Sequence, residues 1–264
     1  MLFAHRLDCG LERQGVEGMD KASAGKVTPG TTLSVIVPCY NEGQYLRTRV
    51  EKLLDIGDDQ LALEVIIVDD ESRDRSLDIA TRLEETHPEV TVLAHDKSRG
   101  KGAALATGFK YATGSVVAVY DADPEYDPRD LKRLVVPIIE GKADVVLGSR
   151  FFTTGEHRSI YFWYSLLNKG LSNISNMFSD FNLSDMESCY KVFHRDIIQA
   201  IRIKDDKFGF EQEIVGKVSQ VRVLIYDMGL SYYVTIHVPK PLETAEERAH
   251  SQVYQLKAWM ARRP

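Results

Sequence analysis

The hydrophobic pattern along the chain changes character at Thr31. Leu33 to Val37 is a short run rich in β-branched residues, stopped by Pro38 and followed by an amphipathic stretch from about Gly43 to Ile56. That reads as strand, loop, helix. The unit returns as Leu63 to Val68 with Asp74 to Thr86, as Val90 to Leu93 with Gly102 to Ala112, and as Val116 to Tyr120 with Asp130 to Glu140. A further strand is expected at Asp144 to Leu147. Strands that are apolar throughout must be covered on both faces, and the intervening helices supply the cover. The expected fold class is therefore α/β, a mostly parallel central sheet flanked by helices in the doubly wound manner.

Beyond Arg150 the pattern loosens. Ile160 to Phe178 mixes aromatic and apolar residues with Ser, Asn and Lys, as expected of a helix or helix pair at an interface, packed on the sheet or against a lipid or apolar acceptor. A strand-like SCYKVF follows Asp185. Then come a helix near Arg195 to Ile201, a helical stretch around Glu211 to Ser219, and a strand pair at Val221 to Tyr226 and Leu230 to Val234. Three parts are expected: a flexible extension over 1–30, one domain over 31–235 with an α+β portion at its C-terminal end, and a tail over 236–264 carrying a helix.

Composition narrows the partners. With 33 Lys and Arg against 39 Asp and Glu, the formal charge of -6 offers no general attraction to polyanions, which argues against nucleic acid as a partner. The three cysteines, Cys9, Cys39 and Cys189, are far apart and form no CxxC pair, so neither a disulfide framework nor a zinc knuckle is expected. A reducing, cytoplasmic setting fits them. No apolar run approaches the roughly 20 residues of a spanning helix, so any membrane contact is expected to be peripheral.

Ligands of such sheets bind outside the carboxyl ends of the strands, and polar residues gather there. The sharpest group is Asp121, Ala122 and Asp123 after the strand VVAVY. Two hard carboxylates two residues apart on a turn suit Mg2+ or Mn2+, and such an ion would clamp a diphosphate and neutralise charge on a leaving group. Asp69 and Asp70 end the second strand, where a carboxylate accepts bonds from a nucleobase or ribose, or caps the next helix. Ser98 to Leu105, SRGKGAAL, puts Arg99 and Lys101 at a helix start, a place for phosphate oxygens or simply a solvated loop.

Taken in order, SVIVPCYNEGQYL, VIIVDDESRD, RGKGAALATGFKYATG, VYDADPEYDP and VVLGSRF resemble the family 2 glycosyltransferases of GT-A fold, and within them the dolichyl- or polyprenyl-phosphate mannosyl- and glucosyltransferase branch. The resemblance runs from about Thr31 to Tyr233. It implies a nucleotide-sugar donor, UDP- or GDP-hexose, a lipid-phosphate acceptor, and Mg2+ or Mn2+. Pro38, Tyr40, Asn41 and Glu42 would line the base and ribose pocket, with Asp70 reading the base and Asp69 supporting it. Arg99, Lys101 and Ala122 would lie by the donor, and Asp121 and Asp123, helped by Glu125, would hold the metal. Arg150 and Arg158 would face the acceptor phosphate, and Asp185 would stand beside the reacting centre of an inverting transfer.

The chain departs from that branch after SYY. Relatives continue with a Gly-Arg-Thr and Glu-Gly-Lys-Lys segment, which is missing here; Lys240 and Arg248 are the nearby cations. Two other readings therefore stand beside the first, transfer to a soluble hydroxyl acceptor and nucleotide-sugar binding with impaired catalysis.

Overall fold

The computed structural model describes residues 31–121, 125–151, 162–206, 209–221 and 223–231, without the side chains of residues 162–164, 167 and 178. The expected extension over 1–30, the tail over 236–264, and the sites placed at Ala122, Asp123 and Arg158 lie outside the described residues.

The alternation read from the sequence is present: β1 (Thr31–Cys39), α1 (Leu46–Leu54), β2 (Leu61–Asp69), α2 (Ser76–Thr86), β3 (Val90–Ala94), α3 (Lys101–Tyr111), β4 (Val116–Val119), α4 (Arg129–Ile139) and β5 (Val145–Ser149). Then follow α5 (Phe162–Ser179), β6 (Lys191–His194), α6 (Arg195–Ala200), α7 (Phe210–Val218) and β7 (Ile225–Gly229). Of the helix or helix pair expected over Ile160 to Phe178, residues 162–178 belong to the single helix α5, and residues 160 and 161 lie outside the described residues. Of the strand pair expected at Val221 to Tyr226 and Leu230 to Val234, the described residues form one strand, Ile225–Gly229; Leu230 and Ser231 are not strand, and residues 222 and 232–234 lie outside the described residues.

The seven strands form one sheet in the order β3-β2-β1-β4-β6-β5-β7. All neighbouring pairs are parallel except those made by β6, which runs antiparallel to both β4 and β5. Both faces are covered, as apolar strands require. Leu33, Val35 and Val37 pack with residues of α1, α2 and α4 on one face, while Ile36, Ile66 and Val68 pack with α3, α6 and α7 on the other. Gly108 brings α3 down on β1 so closely that a Cβ would overlap the Ile36 side chain.

β1 runs past Pro38, the residue expected to stop it. Ile36 accepts a bond from the Tyr120 amide on the β4 side, and Cys39 accepts one from the Asp70 amide on the β2 side. Successive residues of a strand point their backbone groups to opposite neighbours. The missing N–H of Pro38 therefore points toward β4, and pairing with β4 ends at Ile36. A proline is tolerated there because no ladder bond is lost.

Candidate active site

The strand order places the crevice. From β1 the sheet grows one way through β2 and β3, and the chain then crosses back to lay β4 on the other side of β1. Connections leave β1 and β4 in opposite directions, which opens a cleft outside their carboxyl ends. Tyr40, Asn41 and Glu42 leave one lip of that cleft, and Asp121 stands on the other.

The β1 and β2 loops are stitched into one unit. The Asn41 amide donates to Ser72 Oγ at 3.0 Å, the Arg73 amide donates to Asn41 Oδ1 at 2.8 Å, and the Gly43 amide donates to Asp74 Oδ2 at 3.0 Å. Both loops contain a side-chain-bearing residue in the left-handed region, Asn41 at φ 57° and Glu71 at φ 62°. Asn tolerates that region; Glu seldom enters it. Backbone strain of this sort persists only where surrounding bonds enforce it. Tyr40 is 49% exposed at the lip, and Pro38 and Glu42 are half-buried beneath it.

The two strand-end aspartates are engaged differently. Asp70 is wholly engaged: Oδ1 accepts from His95 Nδ1 at 2.7 Å and from the Arg99 amide at 2.9 Å, while Oδ2 accepts from Ser98 Oγ at 2.9 Å and the Gly100 amide at 2.7 Å. Burial opposes its charge, but the donors from Arg99, His95, Gly100 and Ser98 outweigh burial and hold its pKa below the usual carboxylate value. Asp70 thus anchors the loop that leads into α3 and has no oxygen left to read a base. Asp69 gives one oxygen to the Ser72 amide at 3.0 Å, and its Oδ1 is buried with no hydrogen-bond partner. At the end of β2, Asp69 therefore keeps a buried acceptor without a partner in the protein, and Asp70 keeps none.

Gly100 makes the turn into α3 at φ 103°, a conformation that only glycine adopts without strain. Lys101 is the first residue of α3. Its Nζ lies 2.7 Å from Asp121 Oδ2 and 2.8 Å from Glu211 Oε1, joining the end of β4 to the first turn of α7. Burial disfavours the ammonium, yet Asp121 and Glu211 reverse that and raise its pKa well above the ordinary lysine value. Asp121 is lowered in turn: burial raises it, and Lys101, the Cys189 thiol and Lys191 outweigh burial. Arg99 is exposed beside the same loop, 4.0 Å from Asp206. Glu125 is half-buried on the far side of the turn after β4.

The reversed direction of β6 delivers a further segment to this rim. Its amino end lies beside the carboxyl ends of β4 and β5, so the residues that precede it, Asp185 to Tyr190, arrive next to Asp121 and Arg150. Asp185 receives four donors. Oδ2 accepts from the Arg150 amide at 3.0 Å and Nε at 2.7 Å, and Oδ1 accepts from Arg150 Nη2 at 2.7 Å and Asn168 Nδ2 at 3.0 Å. Burial opposes its charge, and the Arg150 bonds overcome it and lower the pKa. Arg150 is itself only 5% exposed. The structure therefore makes Asp185 and Arg150 a buried fork-to-fork pair, so Asp185 holds Arg150 in place and is not a free base.

Several residues here carried no signal in the sequence. Glu211 and Gln212 looked like ordinary acidic and polar residues of a helix start, and only tertiary folding brings Glu211 across 110 positions to Lys101 and Gln212 to Glu187. Glu187, bonded by Gln212 Nε2, has its pKa pushed up to about 7 by burial and then by Glu211, against the pull of Lys191 and Arg150. His95 bridges Asp70 and Thr107 Oγ1. Cys39 and Cys189 are free thiols, both raised by burial, as expected of packing residues. Among the described residues no three His, Cys, Asp or Glu side chains are grouped to hold a metal, and no helix is long and apolar enough to cross a membrane.

Fold and rim together define an α/β protein of GT-A type with a ligand cleft at the β1–β4 switch point. Glycosyl transferase family 2 matches residues 34–202, and the chain belongs to that family. A dolichol-phosphate mannosyltransferase of Pyrococcus furiosus is 29% identical over 202 residues, 75% of this chain and 56% of that protein. A UDP-N-acetylglucosamine–dolichyl-phosphate N-acetylglucosaminyltransferase of Methanococcus voltae is 29% identical over 208 residues, 72% of this chain and 81% of that protein. Among solved structures, a glucosyl-3-phosphoglycerate synthase of Mycobacterium tuberculosis, in complex with Mn2+, UDP and glucosyl-3-phosphoglycerate, matches with a TM-score of 0.66 at 17% identity over 91% of this chain and 84% of that one. A mannosyltransferase of Pyrobaculum calidifontis with GDP-Man and Mn2+ matches with a TM-score of 0.60 at 22% identity over 88% of this chain and 64% of that one. These two likenesses speak for the fold.

Proposed function

We propose that the protein transfers a hexose from a UDP- or GDP-sugar to a polyprenyl or dolichyl phosphate, inverting the anomeric centre with the help of Mg2+ or Mn2+. One observation carries this reading: the carboxylate ending β4, at the switch-point cleft, already holds a cation, the Lys101 ammonium, against its oxygens. Hard oxygen donors facing a cation fit a divalent ion, which Asp121, Asp123 and Glu125 would hold. Such an ion supplies charge neutralisation on the departing nucleoside diphosphate.

The chain's own residues do the rest. Tyr40 offers a flat, half-exposed ring at the cleft mouth for a base to stack on, and the unpaired oxygen of Asp69 accepts a base N–H or a ribose hydroxyl. Asn41 and Glu42 shape the pocket wall, and Arg99 and Ala122 border the phosphates. Arg150, fixed by Asp185, and Arg158 present positive charge to the acceptor. An acceptor phosphate is already anionic and needs no general base, which agrees with a buried Asp185 whose oxygens are all engaged. Both curated relatives named above bear dolichyl-phosphate transferase names, and the protein would meet its lipid from the membrane surface.

A second reading rests on Glu187. A hydroxyl acceptor requires a base, and a carboxyl with its pKa near 7 at this rim is suited to that task. The two readings separate in one experiment. Radiolabelled UDP- and GDP-sugars are offered with Mn2+ or Mg2+ and polyprenyl phosphate, and label is followed into organic solvent. Label that stays in water whatever the donor refutes the lipid-phosphate reading.

A further inference from the structure

The feature that the proposed reaction leaves unexplained is the lysine on the metal-binding carboxylate. Lys101 Nζ sits 2.7 Å from Asp121 and 2.8 Å from Glu211, so two carboxylates from separate elements converge on one cationic point. Divalent ions bind carboxylate oxygens at about 2.0–2.6 Å, and an ion and an ammonium cannot both occupy the space before one Asp121 oxygen. The lysine is also held back. α3 is pinned at its first turn, where the Ala103 amide donates to the Asp206 carbonyl at 3.2 Å and a Cβ on Gly102 would overlap the Asp205 carbonyl oxygen. The side chain must therefore reach its partners from a fixed backbone, and Glu211 gives it a second place to rest.

We propose that Lys101 is a built-in counter-cation: it occupies Asp121 before a divalent ion arrives, yields that carboxylate to the ion, and stays in the site on Glu211. This rests on the metal-dependent reading above. The lysine keeps two largely buried carboxylates, 19% and 11% exposed, compatible with each other before an ion binds. It also lowers the affinity for a lone metal ion, because binding must first displace it and then accept a positive neighbour. A donor diphosphate removes that obstacle, since its negative charge sits well beside both cations. Metal and nucleotide sugar should thus bind cooperatively, with Lys101 as the origin of the coupling, and in the absence of nucleotide the ion should bind weakly.

The test is Mn2+ binding to the full chain without nucleotide, read from the free-ion signal in electron paramagnetic resonance. K101M should bind Mn2+ tighter than wild type by about tenfold, within the usual range for coupled sites, and K101R should resemble wild type because it keeps the charge. Adding UDP or GDP should tighten Mn2+ binding strongly in wild type and much less in K101M. If K101M is too unstable without metal, its melting temperature answers the same question, because Mn2+ should raise it more than it raises that of wild type. Equal or weaker Mn2+ affinity in K101M, or an equal thermal response, overturns the proposal while leaving the metal reading intact. No Mn2+ binding by either protein, with or without nucleotide, removes the metal reading itself.

Discussion

Asp185→Asn separates a residue that holds the site together from one that takes a proton. Asp185 is fully buried beside an arginine 5% exposed, and its two oxygens receive four donors, three from Arg150 and one from Asn168. Asparagine keeps one oxygen. Whichever way the amide turns, two of the four donors then meet an NH2 group, and the largely buried guanidinium loses the charge of Asp185. Removing one partner of a buried pair costs about 3–5 kcal/mol. At roughly 2–4 °C per kcal/mol for a domain of this size, the melting temperature should fall by on the order of 10 °C. Urea unfolding at pH 7 would measure the loss. The pH dependence supplies a second reading. Because the folded pKa is depressed, the contribution of Asp185 is present above the ordinary carboxylate pKa of about 3.9 and is lost as pH falls through the lower folded value. The gap between wild type and variant should therefore be full at pH 7 and narrow only below about pH 4. A variant as stable as wild type but without turnover would refute the structural role and restore Asp185 as a base.

Three further outcomes follow from the geometry. Asp70→Asn should loosen the loop into α3, raising KM for the nucleotide sugar several-fold with a smaller effect on kcat, since two of its bound donors are backbone amides of Arg99 and Gly100; steady-state kinetics checks it. Gly102→Ala should cost about 1–3 kcal/mol through overpacking against the Asp205 carbonyl, and thermal unfolding reads it directly. For Glu187 the sign is opposite to that of Asp185: its folded pKa is raised to about 7, so it subtracts stability as pH climbs from the ordinary glutamate range to about 7, where the unfolded chain is already ionised. Glu187→Gln should gain stability relative to wild type across that window and hold the gain above it, measured as denaturation midpoints from pH 4.5 to 8.

The parallel sheet was legible because each strand from Leu33 to Leu147 is apolar on both faces and separated by an amphipathic helix, a pattern with few other solutions. The order of the strands was not. Nothing in KVFH says that it runs backward between β4 and β5, because a short buried strand reads alike in either direction. The rim was legible where residues stand next to strand ends, as with Asn41, Asp69 and Asp121. It failed where function depends on partners far along the chain. Asp69 and Asp70 look interchangeable in the sequence VIIVDD, and only the bonds from His95, Ser98, Arg99 and Gly100 decide which of them is spent. Asp185 and Arg150 each carried the right chemistry, yet their mutual embrace lay hidden in a separation of 35 residues.

The antiparallel strand also has a bearing on how such a molecule diversifies. Residues 151–190 leave the sheet at the top of β5 and re-enter it on the adjoining strand, where the Gly148 amide donates to the Tyr190 carbonyl at 2.8 Å. A detour whose two ends are next-door neighbours can be lengthened, shortened or exchanged while the lattice beneath it keeps its register. On the proposed function, the half of the molecule assigned to the nucleotide, built from β1 to β4, need not take part. Recipients of quite different size would then be served by one unchanged donor grip, with novelty confined to a replaceable span between two adjoining strands.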